Sequence, residues 1–247
     1  MGSHGEVTAY AQRGVWLIEV EGDFGTLVQD VDLAIQMALA ECPKGVVCSL
    51  MHPPSGRDAD RLLDSLASAG RHVRRWPGTP IVVVCQDPGT LDALDARPDG
   101  QYLGRSPSLL RAWARISAQD QGRTAHQRLR PDALTSRTAR RFLARACTEW
   151  GLDHLASSAS IIVSELVTNA VQYAGGHVDL FLAEHAGCLR IAVRDRDSAS
   201  PVTPVIDPES LKGRGLRIVE TLSQSSGALP AAGGGKLVWA VLGAEPR

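Results

Sequence analysis

Ser164-Glu165-Leu166-Val167-Thr168-Asn169-Ala170 is the stretch from which the second half of this 247-residue chain can be interpreted. Read from Asp153, a candidate N-cap, the surrounding residues place an apolar stripe at helical spacing: Leu155, Ala159, Ile162, Leu166 and Ala170. Glu165 and Asn169 stand four residues apart, so on a helix they project together beside that stripe. A carboxylate next to a carboxamide suits a hydrated divalent cation and phosphates. Taken alone, such a pair is usually part of a solvated helix face.

The residues that follow predict a hairpin, a glycine-opened helix and a last strand. Val178–Ala183 and Leu189–Arg194 alternate around a turn at 185–188 and end at Asp195. Two glycines in Lys212-Gly213-Arg214-Gly215-Leu216 open a short helical pattern through Leu222, where backbone N–H groups and the helix dipole favour an anion. Gly233–Lys236 then leads into a strand, 237–242.

This order of motifs resembles the ATP-binding fold shared by gyrase, Hsp90, histidine kinases and MutL (GHKL), in its anti-sigma-factor serine kinase branch. Ser164–Ala170 resembles the family's N box, Gly213–Leu216 its glycine box and Gly234–Trp239 its closing strand. The resemblance implies that ATP and Mg²⁺ bind, with Asn169 as the Mg²⁺ ligand and Glu165 as general base or water-orienting residue. It also implies a set of nucleotide-binding residues: Asp195 for the adenine amino group, Arg214 beside the phosphates, and Gly213, Gly215, Leu216 and Lys236. Where relatives carry glycines after the aspartate, Asp197 or Ser198 could offer a substitute hydrogen bond to the nucleotide.

The sequence pattern of the first half predicts a second sheet, separate from that of the second half, with helices packed on it. Strands are expected at 14–22, 46–50 and 80–85, and helices at 26–41, 58–71 and 106–116, packed mainly on one side of the sheet. This α/β rhythm and the opening strand that ends at Asp23 resemble a STAS domain, the fold of the anti-sigma-factor antagonists that such kinases phosphorylate. Ser55, in the turn before the second helix, is the one candidate phosphoacceptor. A simple turn and helix cap at Ser55-Gly56 is the alternative.

The predicted organisation is therefore α/β (α+β): a STAS-like domain at 1–117, a linker at 118–132 and a GHKL-type α/β sandwich at 133–247. The linker is assigned because 117–130 is rich in Gln and Arg and loses apolar periodicity. A helix is expected at Thr135–Trp150 with Arg137, Arg141 and Arg145 on its outer face. That row could bind an acidic partner, although a solvated face is the alternative.

Composition narrows the function classes. The formal net charge is −1, and no aromatic residues interleave with the arginines, so direct binding of nucleic acid is not expected. The apolar runs are too short for a membrane span or signal peptide, and five scattered cysteines suit reduced thiols, so a cytoplasmic protein is expected. The seven histidines show no metal-ligand spacing.

Two hypotheses follow. The first is an ATP- and Mg²⁺-dependent serine/threonine kinase that phosphorylates a STAS-domain antagonist and captures a sigma factor; the resemblance also suggests a homodimer. The second is a nucleotide-responsive scaffold that binds partners through its STAS-like half. Its basis is the run Arg196-Asp-Ser-Ala-Ser-Pro201, which lacks the glycines that follow the aspartate in many relatives.

Overall fold

The chain forms two compact units, Met1–Gln121 and Gly122–Arg247, each built around its own five-stranded sheet. A computed structural model describes residues 6–22, 24–52, 57–75, 79–119, 122–173, 176–195, 214–231 and 234–243. Both sheets carry helices, so the α/β class expected from the sequence is confirmed. Within the described ranges, no helix combines the length and apolarity needed to cross a membrane.

The sheet of the first unit has its strands in chain order, β1 to β5. The first two form a hairpin, whose turn places Arg13 and Gly14 at positive φ, and β2 to β5 run parallel. The strands are β1 (Glu6–Gln12), β2 (Val15–Glu21), β3 (Gly45–Leu50), β4 (Ile81–Val84) and β5 (Gly104–Ser106). Because β3 and β4 are buried along their whole length, they read as continuous apolar runs.

The helices of the first unit cover both faces of its sheet. They are α1 (Phe24–Ala40), α2 (Arg57–Arg75), α3 (Pro88–Asp95) and α4 (Leu109–Ala118). Ala112 and Ile116 of α4 pack with one face of the strands, through Val15, Leu17, Val47, Val82 and Val84. The prediction that helices lie mainly on one side therefore needs correction at α4. The unpredicted α3 begins where the Asp87 carboxylate accepts from Thr90 N at 2.8 Å, with Pro88 in the first turn.

The sheet of the second unit is antiparallel throughout, with the order β6-β7-β8-β10-β9. Its strands are β6 (Arg123–Leu129), β7 (Val178–His185), β8 (Cys188–Arg194), β9 (Ser225–Pro230) and β10 (Lys236–Leu242). Its helices are α5 (Thr135–Trp150), α6 (Ala156–Tyr173) and α7 (Arg214–Leu222). One hydrophobic core joins all three helices to the sheet, and its members include Leu143, Leu166, Val193, Val219 and Ala240.

Residues 118–132, predicted as a linker, are in large part ordered structure. Ala118 still belongs to α4, and Arg123–Leu129 pairs with β7 along its whole length. The strand was missed because β6 lies at the edge of the sheet and is mostly exposed, so it needs few apolar residues. Leu129, which is buried in the core, is its strongest apolar signal.

Helix α5 and the β7–β8 hairpin agree with the prediction, whereas the start of α6 and strand β9 do not. Helix α5 has the predicted bounds, and the β7–β8 hairpin turns at Ala186 and Gly187, both at positive φ. Asp153 does not cap α6 directly: it opens a 3₁₀ turn, Asp153–Leu155, from which α6 continues at Ala156. Strand β9 was not predicted, since Ser225–Pro230 carries little apolar alternation.

Candidate functional site

Glu165 and Asn169 lie on one edge of α6, as the spacing requires. The helix buries Ile162, Val163, Leu166, Val167 and Ala170 in the core. Glu165 and Asn169 lie beside this buried face and are themselves half-buried. Their side chains are therefore held at the rim of the core, in position to contact a ligand.

Gly215, in the first turn of α7, brings the glycine segment against that pair. A Cβ atom added at Gly215 would overlap Oε2 of Glu165 and lie 3.6 Å from Nδ2 of Asn169. A side chain at position 215 would displace the Glu165 carboxylate, because the backbone of α7 approaches the two side chains this closely. The first turn of a helix, with its unsatisfied N–H groups and its positive dipole end, lies beside a carboxylate and an amide.

Asp195 directly follows β8 and is almost completely buried, with 2% of its surface exposed. Its carboxylate is bound by one residue of the neighbouring strand. Oδ1 accepts from the backbone N–H of Lys236 at 3.1 Å, and Oδ2 lies 3.1 Å from the Lys236 ammonium group. The buried negative charge is thus both hydrogen-bonded and neutralised.

The two groups of residues flank the same core. Ala170 follows Asn169, and Val193 and Val238 lie two residues from Asp195 and Lys236; all three belong to that core or pack against it. Helix α6 also packs against β7, β8 and β10. The fold therefore fixes both groups on one packed framework.

Several predicted site residues cannot be placed, and one has a structural role. Asp197, Ser198 and Gly213 lie outside the described residues, as does Ser55 of the first unit. Arg214 begins α7, and nothing is described of its side chain. Leu216 is half-buried and packs against the core of the second unit.

The fit of a divalent cation can be judged from the donor set. Among the residues that the structure describes, no three His, Cys, Asp or Glu side chains cluster as a metal site. Asn169 offers a hard amide oxygen, and because Gly215 has no side chain, the backbone of α7 lies close beside it. These residues fit Mg²⁺ that is delivered with the phosphates of a nucleotide.

The sequence did not reveal that Asp195 and Lys236 are partners. They are separated by 41 positions and meet because β10 pairs with β8 in a register that aligns Leu237 with Arg194. The pair could have been predicted from a strand order that places the last strand beside β8.

A second polar cluster, on β6, β7 and β8, was also missed. Asp179 is bound by His126 at 3.0 Å and by Arg194 at 3.1 Å, and the His126 ring stacks on Phe181 with a centroid separation of 4.6 Å. Asp179 and Arg194 are buried. In the sequence, Asp179 and Arg194 alternate with apolar residues, as the polar residues of an exposed sheet face also do.

Comparison with known proteins shows a similarity to one family over most of the second unit. Residues 129–242 match the model of a family described as the histidine kinase-like ATPase domain. A search of curated proteins found no match. Residues 129–242 are therefore similar to a histidine kinase-like ATPase domain, which supports the ATP-binding fold expected for this half of the chain.

Proposed function

We propose that the chain is an ATP- and Mg²⁺-dependent serine/threonine protein kinase of the anti-sigma-factor type. The observation that carries the proposal is the approach of Gly215 to Glu165 and Asn169, which joins the two motifs expected at the phosphate end of a nucleotide. The family match over residues 129–242 supports the ATP-binding part. The kinase activity and its partners are the further step.

The chemistry of transfer would be mainly positioning. When bound, Mg²⁺ would neutralise phosphate charge, and Asn169 would hold it through its amide oxygen. The N–H groups in the first turn of α7, around Gly215, would bind phosphate oxygens. Glu165 would accept the proton of the attacking hydroxyl as the new P–O bond forms and ADP leaves. A half-buried carboxylate fixed by its helix suits that role.

The acceptor we propose is a serine or threonine of a STAS-domain antagonist, with a sigma factor as the regulated partner. The basis is the resemblance of the first unit's sequence to a STAS domain; in the structure its strands and helices alternate from β2 to α4. A homodimer is part of the same proposal. Arg137 and Arg141, both exposed on α5, offer an acidic partner a surface.

A nucleotide-responsive scaffold is the second candidate. Both carboxylate oxygens of Asp195 are already engaged by Lys236. The segment after Asp195 also lacks glycines through Pro201. Both features would weaken adenine binding and leave a domain that senses nucleotide without efficient transfer.

The test is incubation with γ-labelled ATP and Mg²⁺, with and without a STAS-domain protein. Glu165→Gln should keep nucleotide affinity within about threefold but slow transfer by about 100-fold or more. Asn169→Ala should lose the Mg²⁺ dependence of binding, whereas Gln172→Ala, an exposed position on the same helix, should change neither. Transfer that survives both site variants would refute the proposed site. Binding without transfer in the wild type would favour the scaffold.

Transfer to the chain's own Ser55 can be separated from transfer to a partner. A Ser55→Ala chain with an intact ATP site is mixed with a Glu165→Gln chain that keeps Ser55. Label on the second chain shows transfer between molecules, and label that appears only on unmixed wild type shows transfer within one. If neither chain carries label on Ser55 while a STAS-domain partner is labelled, Ser55 is not an acceptor and serves only in the turn.

A further inference from the structure

Strand β1, at one edge of the first sheet, is the most exposed of the described strands. Among the residues that the structure describes, it pairs with β2 alone, and all of its seven residues except Val7 are exposed. The backbone N–H and C=O groups on its outer side therefore face solvent. A row of such groups can pair with a further strand.

The other three edges of the two sheets carry features that discourage pairing. Strand β5 has three residues, and β6 carries Arg123 and Arg128. Strand β9 contains Gly227 and ends at Pro230. Short strands, basic side chains and proline keep sheet edges from associating. Strand β1, Glu-Val-Thr-Ala-Tyr-Ala-Gln, has none of these features, and Glu6 is its single charged residue.

The turn of the first hairpin decides which groups of β1 point outward. Residues 13–14 are both at positive φ and form a two-residue turn, so the flanking residues, Gln12 and Val15, are a hydrogen-bonded pair. Bonded and non-bonded pairs alternate along an antiparallel ladder. The residues whose N–H and C=O groups point away from β2 are therefore Val7, Ala9 and Ala11.

An antiparallel copy of β1 fits this edge when Ala9 lies opposite the partner's Ala9. Val7 then lies opposite the partner's Ala11, and about six backbone hydrogen bonds form between outward-pointing groups. The register uses the strand from end to end and places Glu6 opposite the partner's Gln12. Because the two Glu6 carboxylates lie at opposite ends of the pair, no like charges face each other.

The same register covers the large side chain that β1 exposes. Tyr10 is 40% exposed, and it would lie opposite the partner's Thr8 in a non-hydrogen-bonded pair, where side chains approach most closely. One strand pair is a small interface, at the lower end of specific contacts between proteins. We therefore expect a dissociation constant of about 1–100 µM.

We propose that β1 joins two copies of the chain edge to edge, so that two five-stranded sheets become one continuous sheet. The proposal rests on the homodimer put forward above and names its interface. It needs neither nucleotide nor phosphoryl transfer, because backbone hydrogen bonds supply the pairing.

The experiment measures association of the full chain by sedimentation equilibrium, without nucleotide, between about 1 and 500 µM. The wild type should dimerise. Ala9→Lys and Ala9→Glu each place two like charges opposite each other, so each variant should associate about tenfold or more weakly. An equimolar mixture should restore the dimer, because opposite charges then face each other. Ala114→Lys, at an exposed position of α4, is the matched control and should dimerise as the wild type does.

Amide hydrogen exchange of the wild type, followed by NMR, is a second readout that needs no variant. The N–H groups of Val7, Ala9 and Ala11 should become protected as the concentration rises through the dissociation constant. Those of Thr8 and Tyr10, which bond to β2, should be protected at every concentration. Equal protection of the outward-pointing groups at all concentrations would overturn the inference.

The remaining outcomes separate this inference from the proposed function. A wild type that stays monomeric overturns the inference and leaves the edge to a strand of another protein. A dimer that persists in both Ala9 variants has its interface elsewhere, which overturns this inference alone. Loss of the dimer in both variants without restoration in the mixture excludes the register centred on Ala9. Absence of ATP binding in a chain that dimerises as described defeats the proposed function and leaves this inference standing.

Discussion

At the scale of single residues, the site depends on an absent side chain. The backbone of α7 can approach Glu165 and Asn169 because Gly215 has no Cβ. The atom that a Cβ would meet first is the far end of the flexible Glu165 side chain, which can move aside. A substitution here should thus disturb the site before it disturbs the fold.

Gly215→Ala should lower ATP affinity by about tenfold or more. The added methyl group displaces the Glu165 carboxylate and narrows the space beside Asn169. The free energy of unfolding should stay constant or rise by less than about 1 kcal/mol, because alanine favours helix over glycine. Calorimetry with ATP and a urea titration measure the two effects separately.

Gly176→Ala is the matched control, since nothing lies within 4 Å of a Cβ atom built there. It should leave ATP affinity unchanged. Unchanged affinity in Gly215→Ala would show that the space beside Glu165 is not used by the nucleotide.

The site residues differ in how far the sequence could predict them. Glu165 and Asn169 were predictable because both belong to one helix, and helical spacing alone places them together. Their approach to Gly215, some 50 positions later, came from the family resemblance, since no local pattern records which helices meet. The Asp195–Lys236 pair needed the order of strands in the sheet, which local periodicity does not contain.

At the scale of elements, the structure joins three adjacent strands through one buried charge. His126 on β6 and Arg194 on β8 both bind the Asp179 carboxylate of β7. Burial alone would raise the pKa of Asp179, but the hydrogen bonds and positive charge of His126 and Arg194 outweigh it and hold that pKa below its ordinary value. The cluster fastens the edge strand to the centre of the sheet.

Asp179→Asn should lower the stability of the second unit at neutral pH by about 3 kcal/mol, because Arg194 loses its buried counter-charge. A carboxyl group whose pKa is lowered by folding stabilises the protein above its unfolded pKa, about 3.9. That contribution is lost as the pH falls through the pKa of Asp179 in the folded state, which is lower. The difference between wild type and variant should therefore be present at pH 5 and shrink as the pH falls towards 3.

Urea titrations followed through the NMR signals of the Leu180 and Ile191 methyl groups would report the second unit alone. Asp153→Asn, whose carboxylate accepts from Thr148 at the surface, is the control and should show a loss below about 1 kcal/mol. A difference for Asp179→Asn that is equally large at pH 3 and pH 7 would contradict the assignment of its charge.

Helices and strands were predictable where burial imposes an apolar pattern on the sequence. Strands β3 and β4 are covered on both faces and appear as apolar runs, and α5 shows one apolar stripe with its end at Gly151. Strands β6 and β9 were missed because most of their residues are at least partly exposed, so their pairing depends on backbone bonds that any sequence can make. The linker prediction failed for this reason.

At the scale of the whole molecule, the proposed nucleotide site belongs to one unit. The contacts described for Glu165, Asn169, Asp195 and Lys236 involve residues after Gly122. The second unit also has its own hydrophobic core, which includes Leu129 of β6. Nucleotide binding should therefore persist when the first unit is removed, provided that β6 is kept.

A chain of residues 122–247 should bind ATP within about threefold of the affinity of the full chain. A chain of residues 133–247, which starts at the boundary expected from sequence, lacks β6 and exposes the edge of β7 along its paired length. It also loses Leu129 from the core, so it should be less stable by several kcal/mol and should aggregate. Calorimetry and urea titration of both fragments against the full chain measure these differences.

Loss of ATP binding by a folded 122–247 fragment would show that the first unit contributes to the site. Equal stability of the two fragments would show that β6 contributes nothing to the free energy of unfolding of the second unit.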